Sequence, residues 1–312
     1  MIGKMIGVMF LIVMLLFSVA LYYQNTARGP VALEINGLNP EPFNLVEYGA
    51  VPVFADNLRF NHNDISYFIE DECNGTRREA MVKAFALFAK YMGVISFNEV
   101  ATGDEADIDV GCSDDYIPMG ERLFAAGEGG PSRIINTSVF KTIEKGKISL
   151  YSDPHCDYPI VEMHELGHVF GFDHSLDPTN IMYNVSNCEQ QVSADMINLI
   201  NDLYSIEALS DASISALNAT LKGKYLNFNI TVLNEGLLGI DSINLTIIAD
   251  GEEIQVIDMG EIGIGYGRTM RATNVRLPSR NVDVIDFIID KKNVVREFNE
   301  DNNEVSMTVT EI

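Results

Sequence analysis

Apolar residues change their spacing along the chain, and each change marks an element or a boundary. Residues 5–23 form an unbroken apolar run behind Lys4, long enough to cross a bilayer. Residues 24–59 hold Pro30, Pro40, Pro42 and Pro52 among Asn and Gly, which predicts a linker or short pro-segment. Residues 65–69 (I-S-Y-F-I) predict a strand. Over residues 77–91, Met81, Phe85 and Phe88 recur at helical spacing with Lys and Arg on the other face. Residues 94–100, 106–111 and 148–151 predict further strands, and a helix begins near Tyr158 and Pro159. Ser193 caps a helix that runs to about Tyr204 with Ile197, Ile200 and Leu203 inward. From Ala212 the period becomes two. Leu226, Phe228, Ile230 and Val232 alternate with other residues, as do Ile243, Leu245 and Ile247. Asn234-Glu235-Gly236 and Asp250-Gly251 mark turns between them, and residues 282–290 and 305–309 are also strand-like. Short strands separated by turns predict a β-sandwich for this part.

The chemistry concentrates in one stretch. H-E-x-x-H at His164, Glu165 and His168 is followed by Gly171 and His174. On a helix, His164 and His168 lie one turn apart on one face, so both imidazoles can grip one zinc ion. Glu165 is displaced around the helix, beside the metal without ligating it. Gly171 lets the chain leave the helix through a conformation that a Cβ resists, and returns His174 as a third ligand. Three protein ligands leave one tetrahedral position for water, which suits hydrolysis. The chain has five His, and three fall here.

This stretch resembles the metzincin zinc-binding motif, and Ser175 after the third His resembles the matrixin branch, the matrix metalloprotease-like peptidases. Asp177-Pro178 and Ile181-Met182-Tyr183 resemble the matrixin Met-turn, which puts Met182 beneath the ligands as an apolar base. The likeness extends loosely over residues 60–206. It implies an α+β catalytic domain, a mixed twisted sheet with long helices, and a zinc endopeptidase in which Glu165 is general base toward a metal-activated water. Residues 123–130 stand where matrixins place the strand that pairs with substrate, a Gly-rich surface loop being the other reading. Residues 184–191 stand where the pocket for a substrate side chain is walled. Asp104, Asp107, Asp109, Asp114 and Asp115 are candidate structural calcium ligands by the same likeness, a solvated acidic edge being the alternative. Besides the motif only His62 and His155 remain, too few for the second, structural zinc of matrixins. With no Cys before Cys73, latency through a propeptide thiol is not expected. In the C-terminal part, Val232-x-Asn234-Glu235-Gly236, Ala249-Asp250-Gly251 and the run from Val295 to Asn303 resemble the CARDB family, an adhesion-related immunoglobulin-like module. It implies a surface, substrate or protein partner for the sandwich, with a spacer as the alternative.

The expected organisation is therefore a signal peptide or transmembrane anchor at 1–23, a linker or short pro-segment at 24–59, a matrixin-like zinc peptidase domain at 60–208 and a CARDB-like sandwich at 209–312. Lys4 before the apolar run places the rest of an anchored chain outside the cytoplasm, whereas Ser18-Val19-Ala20 offers a cleavage site and so a secreted protein. Four Cys, at 73, 112, 156 and 188, without a C-x-x-C, suit two disulfides in an oxidising compartment; sequence does not fix the connectivity, and the pairing expected is 73 to 112 and 156 to 188. Six N-x-S/T sequons, beginning at Asn74, Asn136, Asn184, Asn218, Asn229 and Asn244, permit glycosylation there. A net charge of −24 argues against a nucleic-acid partner. The competing function is a membrane-anchored adhesion or binding protein that uses the metzincin fold as a scaffold. It predicts loss of the catalytic groups, yet Glu165 and all three His are present.

Overall fold

The computed structural model describes residues 52–115, 117–119 and 124–309, together with the backbone of 31–32 and 34–36. The apolar run at 1–23 and Leu123 lie outside them. Among the described residues no helix is long and apolar enough to cross a membrane. The chain divides into two units, one of Met1–Pro40, Asp211–Asn234 and Ile240–Ile312, the other of Glu41–Ser210 and Glu235–Gly239.

The second unit is mixed α/β. Its sheet runs β3 (Leu58–Arg59), β8 (Lys141–Leu150), β6 (Ile108–Cys112), β4 (Asp64–Ile69), β5 (Ser96–Glu99), all parallel, while β7 (Gly127–Asn136) pairs antiparallel with β8. The 18-residue helix α1 (Gly75–Met92) carries the chain from β4 to its parallel neighbour β5. Such a crossover needs an element of about this length. Asn74 caps α1 by accepting from the Arg77 N–H, and Gly93, at φ 70°, closes it. Met81, Ala84, Phe85, Phe88 and Met92 make its buried stripe. Phe85 stacks on Tyr67 of β4 at 4.0 Å, and Phe88 on Phe170 at 4.9 Å. Long helices are expected from the matrixin resemblance; the other two, α2 (Ile160–Val169) and α3 (Ala194–Ser205), run only 10 and 12 residues. Ser193 caps α3. Its C-terminal carbonyls meet the buried Arg59 guanidinium, which donates to Leu203 O and Ile206 O and lies over the Tyr204 ring. A cation there offsets the negative end of the helix dipole.

The first unit is an all-antiparallel sandwich. One sheet is ordered β1 (Val31–Ala32), β9 (Ala212–Lys222), β10 (Tyr225–Asn234), β13 (Gly267–Arg276), the other β12 (Glu252–Ile262), β11 (Ile240–Ala249), β14 (Val284–Ile289), β15 (Glu304–Thr308), β2 (Glu34–Asn36). Leu226, Phe228, Ile230 and Val232 face the core from one sheet, Ile285, Phe287 and Ile289 from the other, and Phe228 meets Phe287 edge-on at 5.2 Å. Residues 31–36 fall in the stretch that Pro and Gly mark as a linker. The structure makes them two edge strands instead, Val31 opposite Leu221 and Ile35 opposite Met307. A segment this short has no stability alone and is a strand only because two sheet edges receive it.

The polar residues of the CARDB-like stretches tie the sandwich together internally. Buried Asn234 accepts from the Asp211 N–H and donates to Ile262 O. Asp250 and Gly251, both at positive φ, form the two-residue turn between β11 and β12. Glu297 accepts from the Ala212 N–H at 3.1 Å and from the Asn303 amide.

Candidate metal centre

α2 carries Glu162, Met163, His164, Glu165, Leu166, Gly167 and Val169 into the interior, with His168 half-buried. It packs closely on its surroundings because two positions lack a Cβ. One at Gly167 would lie 2.4 Å from Met182 Sδ, and one at Gly146 of β8 would lie 2.7 Å from Val169 Cγ1. Val169 and Phe170 are core, as their apolar character predicts. Gly171, at φ 93°, turns the chain out of the helix beside Leu58.

That turn brings His164, His168 and His174 together, one ligand atom from each lying within 4.8 Å of the others. His164 Nδ1 lies 2.8 Å from Ile181 O, and His168 Nδ1 lies 2.7 Å from Phe172 O. A carbonyl only accepts, so each Nδ1 carries the proton and each Nε2 is left with its lone pair. The two Nε2 atoms face each other at 3.0 Å. Two lone pairs at that distance repel unless a cation lies between them. Burial lowers the His164 pKa to about 4 and also lowers that of His168, so both rings are neutral near pH 7. Neutral, tautomer-fixed imidazoles at this separation fit a zinc ion.

Glu165 is 6 % exposed and lies under β7. A Cβ at Gly129 would stand 2.3 Å from the Glu165 carbonyl oxygen, and one at Gly127 would stand 2.8 Å from its Cγ. The glycines at 127 and 129 are therefore required by the helix beneath the strand. Burial, then Glu128 and Glu162, push that carboxyl up to about 8, and the nearby Gly129 backbone opposes them only weakly. Among the described residues β7 pairs with β8 alone, so its other edge is open to an extended chain.

Met182 is buried, and its carbonyl accepts from the Ser175 N–H at 2.9 Å. Cys73 is joined to Cys112 and Cys156 to Cys188. The second bridge ties residues 184–191 to the segment entering α2. Among the described residues the three His are the only group of three or more His, Cys, Asp or Glu arranged to share an ion. The acidic residues between 104 and 115 do not converge. Asp107 accepts from Ser66 and His62, Asp114 pairs with Arg77, and Asp115 accepts from Ser113. The calcium expectation thus finds no support in their arrangement.

Two contributors to the site are carbonyls that the motif does not name: those of Phe172 and Ile181 fix the imidazole tautomers. They act through the backbone, which side-chain spacing does not display. A further segment supports Phe172. Phe54 N–H donates to Gly171 O and Asp173 N–H to Pro52 O, a bridge that leaves Phe172 O free for His168.

No curated protein matches the chain. Solved structures similar to it include a crystal structure of a CARDB domain from Pyrococcus furiosus in complex with di-metal ions, 16 % identical over 32 % of this chain and 88 % of that one, TM-score 0.27. A solution structure of the same domain is 16 % identical over 33 % of this chain and 95 % of that one, TM-score 0.28. A family model for matrixin matches residues 59–205, where the three His and Glu165 lie, and one for CARDB matches residues 200–307, the strands of the sandwich. The chain carries a matrixin domain followed by a CARDB domain.

Proposed function

We propose that this protein is a zinc-dependent endopeptidase that hydrolyses peptide bonds outside the cytoplasm. The observation that carries the proposal is the pair of neutral imidazoles, each with Nδ1 committed to a carbonyl and Nε2 turned toward a shared point, next to a buried carboxylate. His164, His168 and His174 would hold the metal. Zinc there would supply a Lewis acid, a water whose pKa falls to ~7, and a positive charge favouring the ionised form of Glu165. Glu165 takes the proton of the attacking water and passes it to the leaving amine. The open edge of β7 receives the substrate as an added strand, which sets its bond in register with the site.

The family supports a protein or peptide as substrate, and we read the second unit as a metzincin-type catalytic domain. The disulfides favour an oxidising compartment, reached either by an anchor at residues 1–23 or by secretion after its cleavage. We assign the sandwich the part of holding the enzyme to a surface, a substrate or a neighbouring protein. The test is cleavage of a mixed peptide library by the whole chain, with and without a zinc chelator, beside Glu165→Gln. The variant should keep one zinc and lose turnover by a factor of roughly 10²–10⁴. Undiminished turnover would overturn the assignment of the base.

A further inference from the structure

The loop that follows Met182 is exposed over residues 184–189, yet Gln190 inside it is 2 % exposed. A buried primary amide is costly unless its groups are paired. Here they are. Gln190 Nε2 donates to Val185 O at 2.9 Å and to Pro178 O at 3.4 Å, and Oε1 accepts from the Asn187 N–H at 3.2 Å. One side chain thus holds both limbs of the loop. The next residue continues the connection: Gln191 N–H donates to Thr179 O, and Gln191 O accepts from the Ile181 N–H at 2.8 Å. The Ile181 carbonyl, across the same residue, accepts from His164 Nδ1. On the outer side, Cys188 is bonded to Cys156, in the segment that leads into α2. Residues 184–189 are all exposed, so the loop is held by polar contacts and the disulfide: Asn187 Nδ2 also donates to Pro178 O at 3.3 Å, but the Gln190 amide is the buried side chain that joins both limbs.

We infer that Gln190 is a positioning residue for the metal centre, and that the disulfide between Cys156 and Cys188 secures the loop through which it acts. The inference rests on the zinc reading. Releasing the loop lets the Ile181 peptide tilt, and His164 loses the acceptor that fixes its ring. Partners of this kind are worth roughly 10- to 100-fold in metal affinity. A dithiol reductant acting on this bridge would release the loop in the same way. Two thiolate exchanges move two electrons and two protons to the protein sulfurs, leaving Cys156 and Cys188 as thiols and the reductant as a cyclic disulfide.

The experiment measures zinc affinity by chelator competition, and the visible absorption spectrum of the cobalt-substituted protein, for the whole chain, for Gln190→Leu and for the double variant Cys156→Ser with Cys188→Ser. Circular dichroism checks that each variant is folded. The expected result is zinc bound about 10-fold or more weakly by both variants, with a changed cobalt spectrum. Should Gln190→Leu fail to fold, the double variant decides by the same readings. Wild-type affinity and an unchanged spectrum in a folded variant would overturn the inference while leaving the zinc reading intact. A wild-type chain that takes up no zinc would overturn both.

Discussion

Gly129 shows how much of this site depends on single atoms. The atom that a side chain would add there falls 2.3 Å from the carbonyl oxygen of Glu165. Gly129→Ala should therefore push β7 off α2, lowering stability by about 1–3 kcal/mol, the range for overpacked interiors. It should also lower kcat, because the strand that packs on the proposed base moves away from it. Thermal unfolding and steady-state kinetics check this, and an unchanged melting temperature would show that the strand can shift freely. A second prediction concerns Glu297. Burial raises its carboxyl to about 7 from an ordinary 4.5, against hydrogen bonds from Asn303 and Ala212. The folded state then holds the proton more tightly than the unfolded chain. Its contribution to stability is full below about 4.5 and is lost as pH rises through about 7. Glu297→Gln should flatten that part of the stability profile. The side-chain Oδ1 of Asn303 is without a hydrogen-bond partner among the described residues, so a turned Asn303 side-chain amide can accept from the new side chain. A profile of unchanged slope would mean that another group titrates.

Elements in this chain are legible to the degree that their periodicity is their own. α1 appears in the sequence because of its buried stripe, and α3 because a stripe and the Ser193 cap coincide; the Asn74 cap of α1 comes from the structure. β10 appears because it alternates, and β14 because it is a short apolar run. The long pairing of β7 with β8 does not, since G-E-G-G-P-S-R has no alternation and the strand is fixed by the helix beneath it. β12 and β13 escape for the same kind of reason, their residues being mostly exposed. The shortest elements matter most for prediction. Deleting residues 1–40 removes β1 and β2, uncovering the edges of β9 and β15. Hydrogen exchange in β9 and β15 should then accelerate while β4 and β6 keep their protection. Equal exchange in both chains would mean that residues 31–36 add nothing to the sandwich. The disulfide from Cys73 to Cys112 spans 39 residues, and its loss should lower stability by about 4 kcal/mol on the chain-entropy account. Denaturant unfolding of the double Ser variant measures it.

At the scale of the whole molecule, the proposed metal ligands belong to one unit only, Glu41–Ser210 with Glu235–Gly239. Binding the folded state alone stabilises by an amount set by ligand concentration over Kd, about 4 kcal/mol at 1,000 times Kd. Chelation should therefore lower the unfolding temperature of that unit and leave hydrogen exchange within β10 and β14 unchanged. A loss of protection in those strands on chelation would mean that the sandwich depends on the metal. The net charge of −24 adds a constraint on partners: a polyanion is repelled at low ionic strength.

The sequence by itself determined which groups the proposed chemistry would use. H-E-x-x-H with Gly171 and His174 brings three His and a neighbouring carboxylate together, since a helix spaces residues regularly and a glycine permits the turn that follows. It also determined the change from mixed α/β to all-β near Ala212, because hydrophobic period is a local property. Only the tertiary structure decided what surrounds those groups. Phe172 O and Ile181 O set the tautomers, Gly127 and Gly129 of β7 pack on Glu165, and Gln190 ties the loop behind Ile181, all through contacts that sequence spacing does not encode. It likewise decided that residues 31–36 belong to the sandwich, 175 residues or more before its main body begins at Asp211. A five- or six-residue segment takes its conformation from the sheet edge it meets, and that edge is formed by residues far away in the chain.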